Sequence, residues 1–336
     1  MQDHPMVNHW ETMMILLLVA IAPTIALIFF FLGKDKENPE PPSLLIRTFV
    51  LGALSIIPVL VVDGIIESFF NYKAWADFPR ILFTSFIVAA AVEEGGKLMM
   101  VRWAIWRNPN FDQRIDGILY GAIGALGFAT IENILYVAQG GVEVGIGRAI
   151  FAVPGHALDG VAMGFFLSQA KFTPAKRSEY MLLAYFVPVF FHGVYDTLVF
   201  TQESLENPLF KLIIFAAFVW FVIKLWKVGL EYIRQHNHDD MNFPVPDSPD
   251  TPVPPVRYPL PPPVVYSRSP KLVWLGYILA IISWIFVPLF SGIWAIVIGS
   301  KNMGTKAHGH GVAIIIIAAF GIVIGTLLNL AYFLSS

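Results

Sequence analysis

Cysteine is absent from the 336 residues. That excludes disulfides, thiolate metal ligands and a cysteine nucleophile, and it says nothing about compartment. Charge is scarce as well: 14% of the residues are Asp, Glu, Lys or Arg, against about 25% in a soluble domain. Nor is there a surplus of positive charge, since 22 basic and 24 acidic residues give a formal net charge of -2. Without a basic surface, nucleic-acid binding is set aside. Two short signatures are missing too. No HExxH occurs, which removes the common zinc-peptidase helix. No GxSxG occurs, and no Ser in an apolar run stands with a His to form an acyl-enzyme.

What the chain has in quantity is apolar surface. It is 56% hydrophobic, with a mean hydropathy of +0.66, and both values point to lipid as the solvent. Residues 13–33 form an apolar run of about 20 residues, enough to cross a bilayer. No Lys or Arg precedes it and no small-residue cleavage site follows, so it reads as a first membrane helix and not as a cleaved signal peptide. Similar runs follow at 48–68, 81–104, 115–138, 149–170, 180–200 and 209–224. Two more come at 272–299 and 311–334. The expected fold is all-α, a polytopic transmembrane helical bundle of about nine spans.

Between the seventh and eighth runs lies a stretch rich in Pro, 244–263. Proline removes backbone donors and favours extended geometry, so this is a tether and not a folded unit. The expected domains are therefore a seven-span catalytic domain over 1–234, a Pro-rich linker over 235–270 and a two-span hairpin over 271–336. Lys and Arg concentrate in alternate gaps: Lys34, Lys36 and Arg47; Arg102, Arg107 and Arg114; Lys171, Lys176 and Arg177. By the positive-inside rule the N-terminus lies outside and the linker is cytoplasmic. The fourth gap holds only Arg148.

Ionisable groups at mid-membrane cost about 2.5–3.5 kcal/mol each on insertion scales, so a cluster of them calls for function. The third run contains Glu93-Glu94-Gly95-Gly96-Lys97. On a helix Lys97 reaches Glu93 (i, i+4) or Glu94 (i, i+3). Pairing keeps one carboxylate ionised and leaves the other desolvated beside a like charge, so the two are inequivalent. The fourth run carries Gly121, Gly124 and Gly127, a small face for helix packing, followed by Glu132 and Asn133. The fifth carries His156 and Asp159, and the sixth His192 and Asp196. Each His–Asp pair shares a helix face, so the carboxylate can orient the imidazole.

Helical rise gives the depths. With about 1.5 Å per residue, Glu93 lies roughly 18 Å below the outer boundary, and Glu132, His156 and His192 lie roughly 9–12 Å below it. One cavity opening outward can hold all four. Carboxylate plus imidazole suits general-base activation of water, with Glu93 or Glu94 as base. His192, with Asp196 or Asn133 nearby, would stabilise an oxyanion. The candidate catalytic set is Glu93, Glu94, Glu132, His156 and His192, supported by Lys97, Asn133, Asp159 and Asp196. The expectation is no cofactor, with Zn2+ as the alternative held by Glu93, Glu132, His156 and His192. A non-catalytic membrane scaffold and a proton-coupled transporter are the other classes, although no inverted repeat is visible.

Glu93-Glu94-x-x-Lys97, Phe128-x-x-x-Glu132-Asn133, His156-x-x-x-Gly160 and His192-x-x-x-Asp196, in this order, resemble the PrsW intramembrane proteases. These sit within the superfamily of CAAX prenyl proteases and bacteriocin-processing enzymes. The resemblance implies that Glu93 is the general base with Glu94 in support. It also implies a single-span membrane protein as substrate, an anti-sigma factor being the implied class, cut near the extracytoplasmic face of a bacterial cell membrane. The CAAX branch has His where this chain has Glu132, and Asn where it has Asp196, and both departures are PrsW-like. The C-terminal hairpin is similar to two-helix membrane domains of unknown function.

Overall fold

The computed structural model describes residues 9–34 and 39–242, and the expected hairpin with most of the expected linker lies outside them. Helix α1 spans His9–Leu32, α2 Pro42–Leu54 and α3 Ile56–Phe69. A rod then runs through α4 (Asp77–Phe83), a π-helical segment (Thr84–Ala91) and α5 (Val92–Ile105). After it come α6 (Arg114–Ile150), α7 (Ala152–Phe172), α8 (Arg177–Ser204) and α9 (Pro208–Asn242). No strand occurs among the described residues. The chain is an all-α, polytopic membrane protein, as expected.

Helix starts follow ordinary capping chemistry. Pro42 stands at the first turn of α2, where a missing N–H removes nothing the helix needs. Gln113 and Asp116 form a reciprocal capping box on α6, and the Asp240 carboxylate accepts from the Arg114 and Ile115 amides at 3.0 and 2.9 Å. Asn207 accepts from the Leu209 amide to start α9.

Among the described residues, five stretches are long and apolar enough to cross a membrane: Thr12–Leu32, Pro42–Phe69, Arg114–Phe172, Pro174–Ser204 and Pro208–Asp240. Arg114–Phe172 contains two antiparallel helices, α6 and α7. The α4–α5 rod completes the seven runs expected over these residues. Its charges, Glu93, Glu94 and Lys97, make it the least apolar of them.

The α6–α7 pair forms the centre. Both are buried over most of their length, while α1, α2, α3 and α9 turn Leu18, Phe29, Ile46, Val61, Leu212 and Trp220 outward. In lipid such a face needs no cover, and what joins the helices is close backbone approach. Gly117 and Gly121 of α6 meet Gly164 and Gly160 of α7, where a Cβ on any of the four would collide with opposing backbone. Gly52 of α2 meets Gly124 of α6 in the same way. The glycine face expected in the fourth run is thus a packing surface.

Two departures from the expected spans bear on the site. α6 does not end near Ala138; helix continues to Ile150 across a break at Gly141, where φ is 73° and ψ is -165°. Gly141 is the one described residue with positive φ, a conformation glycine adopts without a steric penalty. α9 likewise runs past Arg234 to Asn242. His236 stacks on Phe165 at 4.2 Å and Asp240 caps α6, so residues 235–240 belong to the bundle.

Candidate active site

Glu93 and Glu94 stand in the first turn of α5, directly after the π-helical segment. Single-turn π geometry inside a helix is common at functional positions. The Tyr185 hydroxyl of α8 donates to the Ala91 carbonyl at 3.0 Å and pins this junction. Four helices then converge: α5 with Glu93, Glu94 and Lys97; α6 with Glu132; α7 with His156; α8 with His192.

Lys97 is the hub. Its ammonium has three N–H donors and meets three acceptors: Glu94 Oε1 at 2.8 Å, Glu93 Oε2 at 3.1 Å and His156 Nδ1 at 3.1 Å. The Phe128 ring lies 4.1 Å from it, a cation–π contact that covers the remaining side. A fully buried ammonium is tolerable only when paired in this manner.

Because His156 Nδ1 accepts from Lys97, its proton sits on Nε2, which donates to Glu132 Oε2 at 2.7 Å. Glu132 Oε2 also accepts from Arg148 at 2.6 Å, and the Arg148 Nε donates to Asn133 Oδ1 at 2.9 Å. Asn133 in turn donates to the Ala20 carbonyl of α1 at 2.7 Å. His192 faces carboxylates on both sides: Nδ1 lies 2.9 Å from Glu94 Oε1, while Nε2 lies 3.4 Å from Asp196 and 3.8 Å from Glu93. The two imidazoles meet edge to face at 5.2 Å.

All five residues of the candidate catalytic set are therefore brought together, with Lys97 and Asp196. Two supporting residues lie otherwise than expected. Asp159 makes no hydrogen bond to His156, whose ring is taken by Lys97 and Glu132; Asp159 Oδ1 is buried without a partner. Asn133 stands beside Arg148 and α1 and makes no contact with His192. Spacing in the sequence did not single out Arg148. The available signals were the Gly140-Gly141 break and a lone arginine in an outer gap whose one other charged residue is Glu143.

The two adjacent glutamates differ in access. The side chain of Glu93 is 12% exposed and that of Glu94 is 0% exposed. Glu132, Arg148 and Asp196 are open to a similar small degree as Glu93. The open groups form a rim, and Glu94 with Lys97 forms the floor. Glu94 Oε2 has no partner.

Among the described residues one group has metal-ligand spacing: Glu93, Glu94, His156 and His192, with ligating atoms within 4.8 Å of one another. Glu94 stands in this group where the sequence suggested Glu132, which lies beyond His156. Two carboxylates and two imidazoles suit Zn2+ by donor type. The arrangement does not suit it: Lys97 already bonds three of the four, so a dication would share those donors with a buried ammonium.

A sequence model for the PrsW family of intramembrane metalloproteases matches residues 40–224. Three relatives, each named Protease PrsW, show the extent of the likeness. The one from Geobacillus kaustophilus (strain HTA426) is 39% identical over 220 residues, 66% of this chain and 91% of its own. That from Bacillus subtilis (strain 168) is 37% identical over 202 residues, 60% of this chain and 88% of its own. The Clostridioides difficile (strain 630) protein is 32% identical over 235 residues, 68% and 94% respectively. No solved structure matches the chain significantly.

Proposed function

Since the chain belongs to the PrsW family of intramembrane metalloproteases, and is thereby a membrane-embedded peptidase, we propose that it cleaves peptide bonds by a water molecule activated on Glu93. The observation that carries this is the difference in access between neighbouring carboxylates: Glu93 reaches the open rim, whereas Glu94 is sealed against Lys97 and His192.

Glu93 takes a proton from water as the water oxygen attacks the scissile carbonyl carbon. His192, held between Glu94 and Asp196, donates to the oxygen on which negative charge develops. When the carbon–nitrogen bond breaks, Glu93 returns its proton to the leaving amine. Lys97 bonds Glu94 and fixes His156, and His156 in turn holds Glu132. The rim lies at the end of the bundle where α6 breaks at Gly141, opposite the basic α5–α6 turn. With the basic turn in the cytoplasm, the substrate is a single-span membrane protein cut near the extracytoplasmic face, an anti-sigma factor being the candidate class, in a bacterial cell membrane.

A metal-assisted reading draws on the family description and on the Glu93, Glu94, His156 and His192 spacing. Those residues would hold Zn2+, which supplies Lewis acidity, only after Lys97 withdraws. Co-expression with a panel of single-span membrane proteins tests the main proposal. Wild type should cleave a member of the panel and both Glu93→Gln and His192→Ala should not; equal cleavage by all three rejects the site.

A further inference from the structure

At the end of the bundle away from the rim, α5 finishes at Ile105 and the chain turns through 106–113 into α6. A cleft of about 720 Å³ opens there. Arg47 of α2, Arg102 of α5 and Arg107 of the turn line it, with Trp103, Trp106 and Asn108 between them. No acidic side chain is among its lining residues.

All three guanidinium groups are exposed. None pairs with a carboxylate of a described residue, although Arg80, Arg114, Arg148 and Arg234 all do. Three like charges around one cavity repel one another unless an anion neutralises them. Trp106 keeps Arg102 in place: the Arg102 guanidinium lies 5.4 Å from its ring, and that of Arg177 lies 5.8 Å from it. A planar guanidinium fork matches phosphate oxygens with two parallel hydrogen bonds.

The surroundings decide which phosphate. Met99 and Trp103 are exposed on the lipid side of α5, and Ile46 is exposed beside Arg47. Apolar side chains for acyl chains thus adjoin guanidinium groups at headgroup level, and tryptophan favours that depth. A zwitterionic headgroup brings its own cation and leaves the arginines uncompensated.

We propose that this cleft binds an anionic phospholipid, with the headgroup phosphate held by Arg47, Arg102 and Arg107 and the acyl chains against Met99 and Trp103. The bound lipid would tie α2, α5 and the α5–α6 turn together. It would do so about 13 Å along α5 from Glu93, at the inner end of the helix that carries both glutamates.

Native mass spectrometry of the full-length protein in detergent, titrated with phosphatidylglycerol or phosphatidylcholine, reads the binding. Wild type should retain phosphatidylglycerol in preference. A triple Arg47→Gln, Arg102→Gln, Arg107→Gln variant should weaken that binding at least about tenfold, given a factor of about five per arginine near an anionic surface. Arg80→Gln and Arg234→Gln, whose side chains are paired elsewhere, should not change it. If the triple variant fails to fold, Arg107→Gln alone carries the test through a loss of about fivefold. Undiminished phosphatidylglycerol binding in the variant, or equal binding of phosphatidylcholine by wild type, overturns the proposal. So does displacement of the lipid by millimolar inorganic phosphate, which would make free phosphate the ligand.

Discussion

Arg148 reaches back across the Gly141 break to place its guanidinium 2.6 Å from Glu132, sixteen residues earlier in the same helix. It also stacks on Tyr136 at 4.1 Å and bonds Asn133. The segment after Gly141 is thereby tied to the rim. Arg148→Ala should lower proteolysis more than stability, because Glu132 keeps its bond to His156. A double-mutant cycle of Arg148→Ala with Glu132→Gln, read by unfolding in detergent, should give a coupling of about 0.5–3 kcal/mol. A coupling indistinguishable from zero would mean that the pair does not hold the segment.

Lys97→Met removes the buried ammonium that bonds both Glu93 and Glu94 and leaves the two carboxylates buried together. Breaking a buried pair from one side costs about 3–5 kcal/mol, so this variant should be the least stable single change in the site. Adding Glu94→Gln to it should recover part of the loss. Thermal unfolding of the two variants decides; a double variant weaker than Lys97→Met would contradict the pairing.

The neighbouring glutamates should separate by measurement. Glu93→Gln is expected to reduce cleavage about 10²–10⁴-fold, the usual range for a lost general base, with little change in unfolding temperature. Glu94→Gln should lower both, since its carboxylate bonds Lys97 and His192 inside the protein. The reverse pattern would move the base to Glu94.

Chelation addresses the ligand group directly. With Lys97 bonded to three of its four members, cleavage by the purified protein should persist after exhaustive treatment with a strong chelator. Loss of cleavage, restored by added Zn2+, would show that Lys97 yields its place to a metal.

At the bundle centre, Gly164→Ala puts a methyl group into the Gly117 backbone. Overpacking of this kind costs about 1–3 kcal/mol. Gly64→Ala, where a Cβ meets open space, is the matched control. Equal unfolding temperatures for the two would argue against close α6–α7 contact.

Much of this was legible along the chain. Apolar runs of bilayer length mark the helices, because lipid offers the backbone no hydrogen bonds and only helix satisfies it within one segment. Lys97 stands three and four residues from its glutamates and Asp196 four from His192, and those contacts follow from helical period alone. The same rule suggested Asp159 for His156, and there it gave way. Both nitrogens of that ring are claimed by Lys97 and Glu132, which come from other helices.

Sequence by itself determined that this protein is a helical membrane bundle and that Glu93, Glu94, Glu132, His156 and His192 are its costly polar groups. Local period and transfer energy need no partner helix to be read. Tertiary structure decided which glutamate is open, that Arg148 joins the rim and that Lys97 occupies the ligand group. Those depend on how four helices meet across glycine contacts and on one left-handed residue at Gly141, and no spacing along a single helix encodes them.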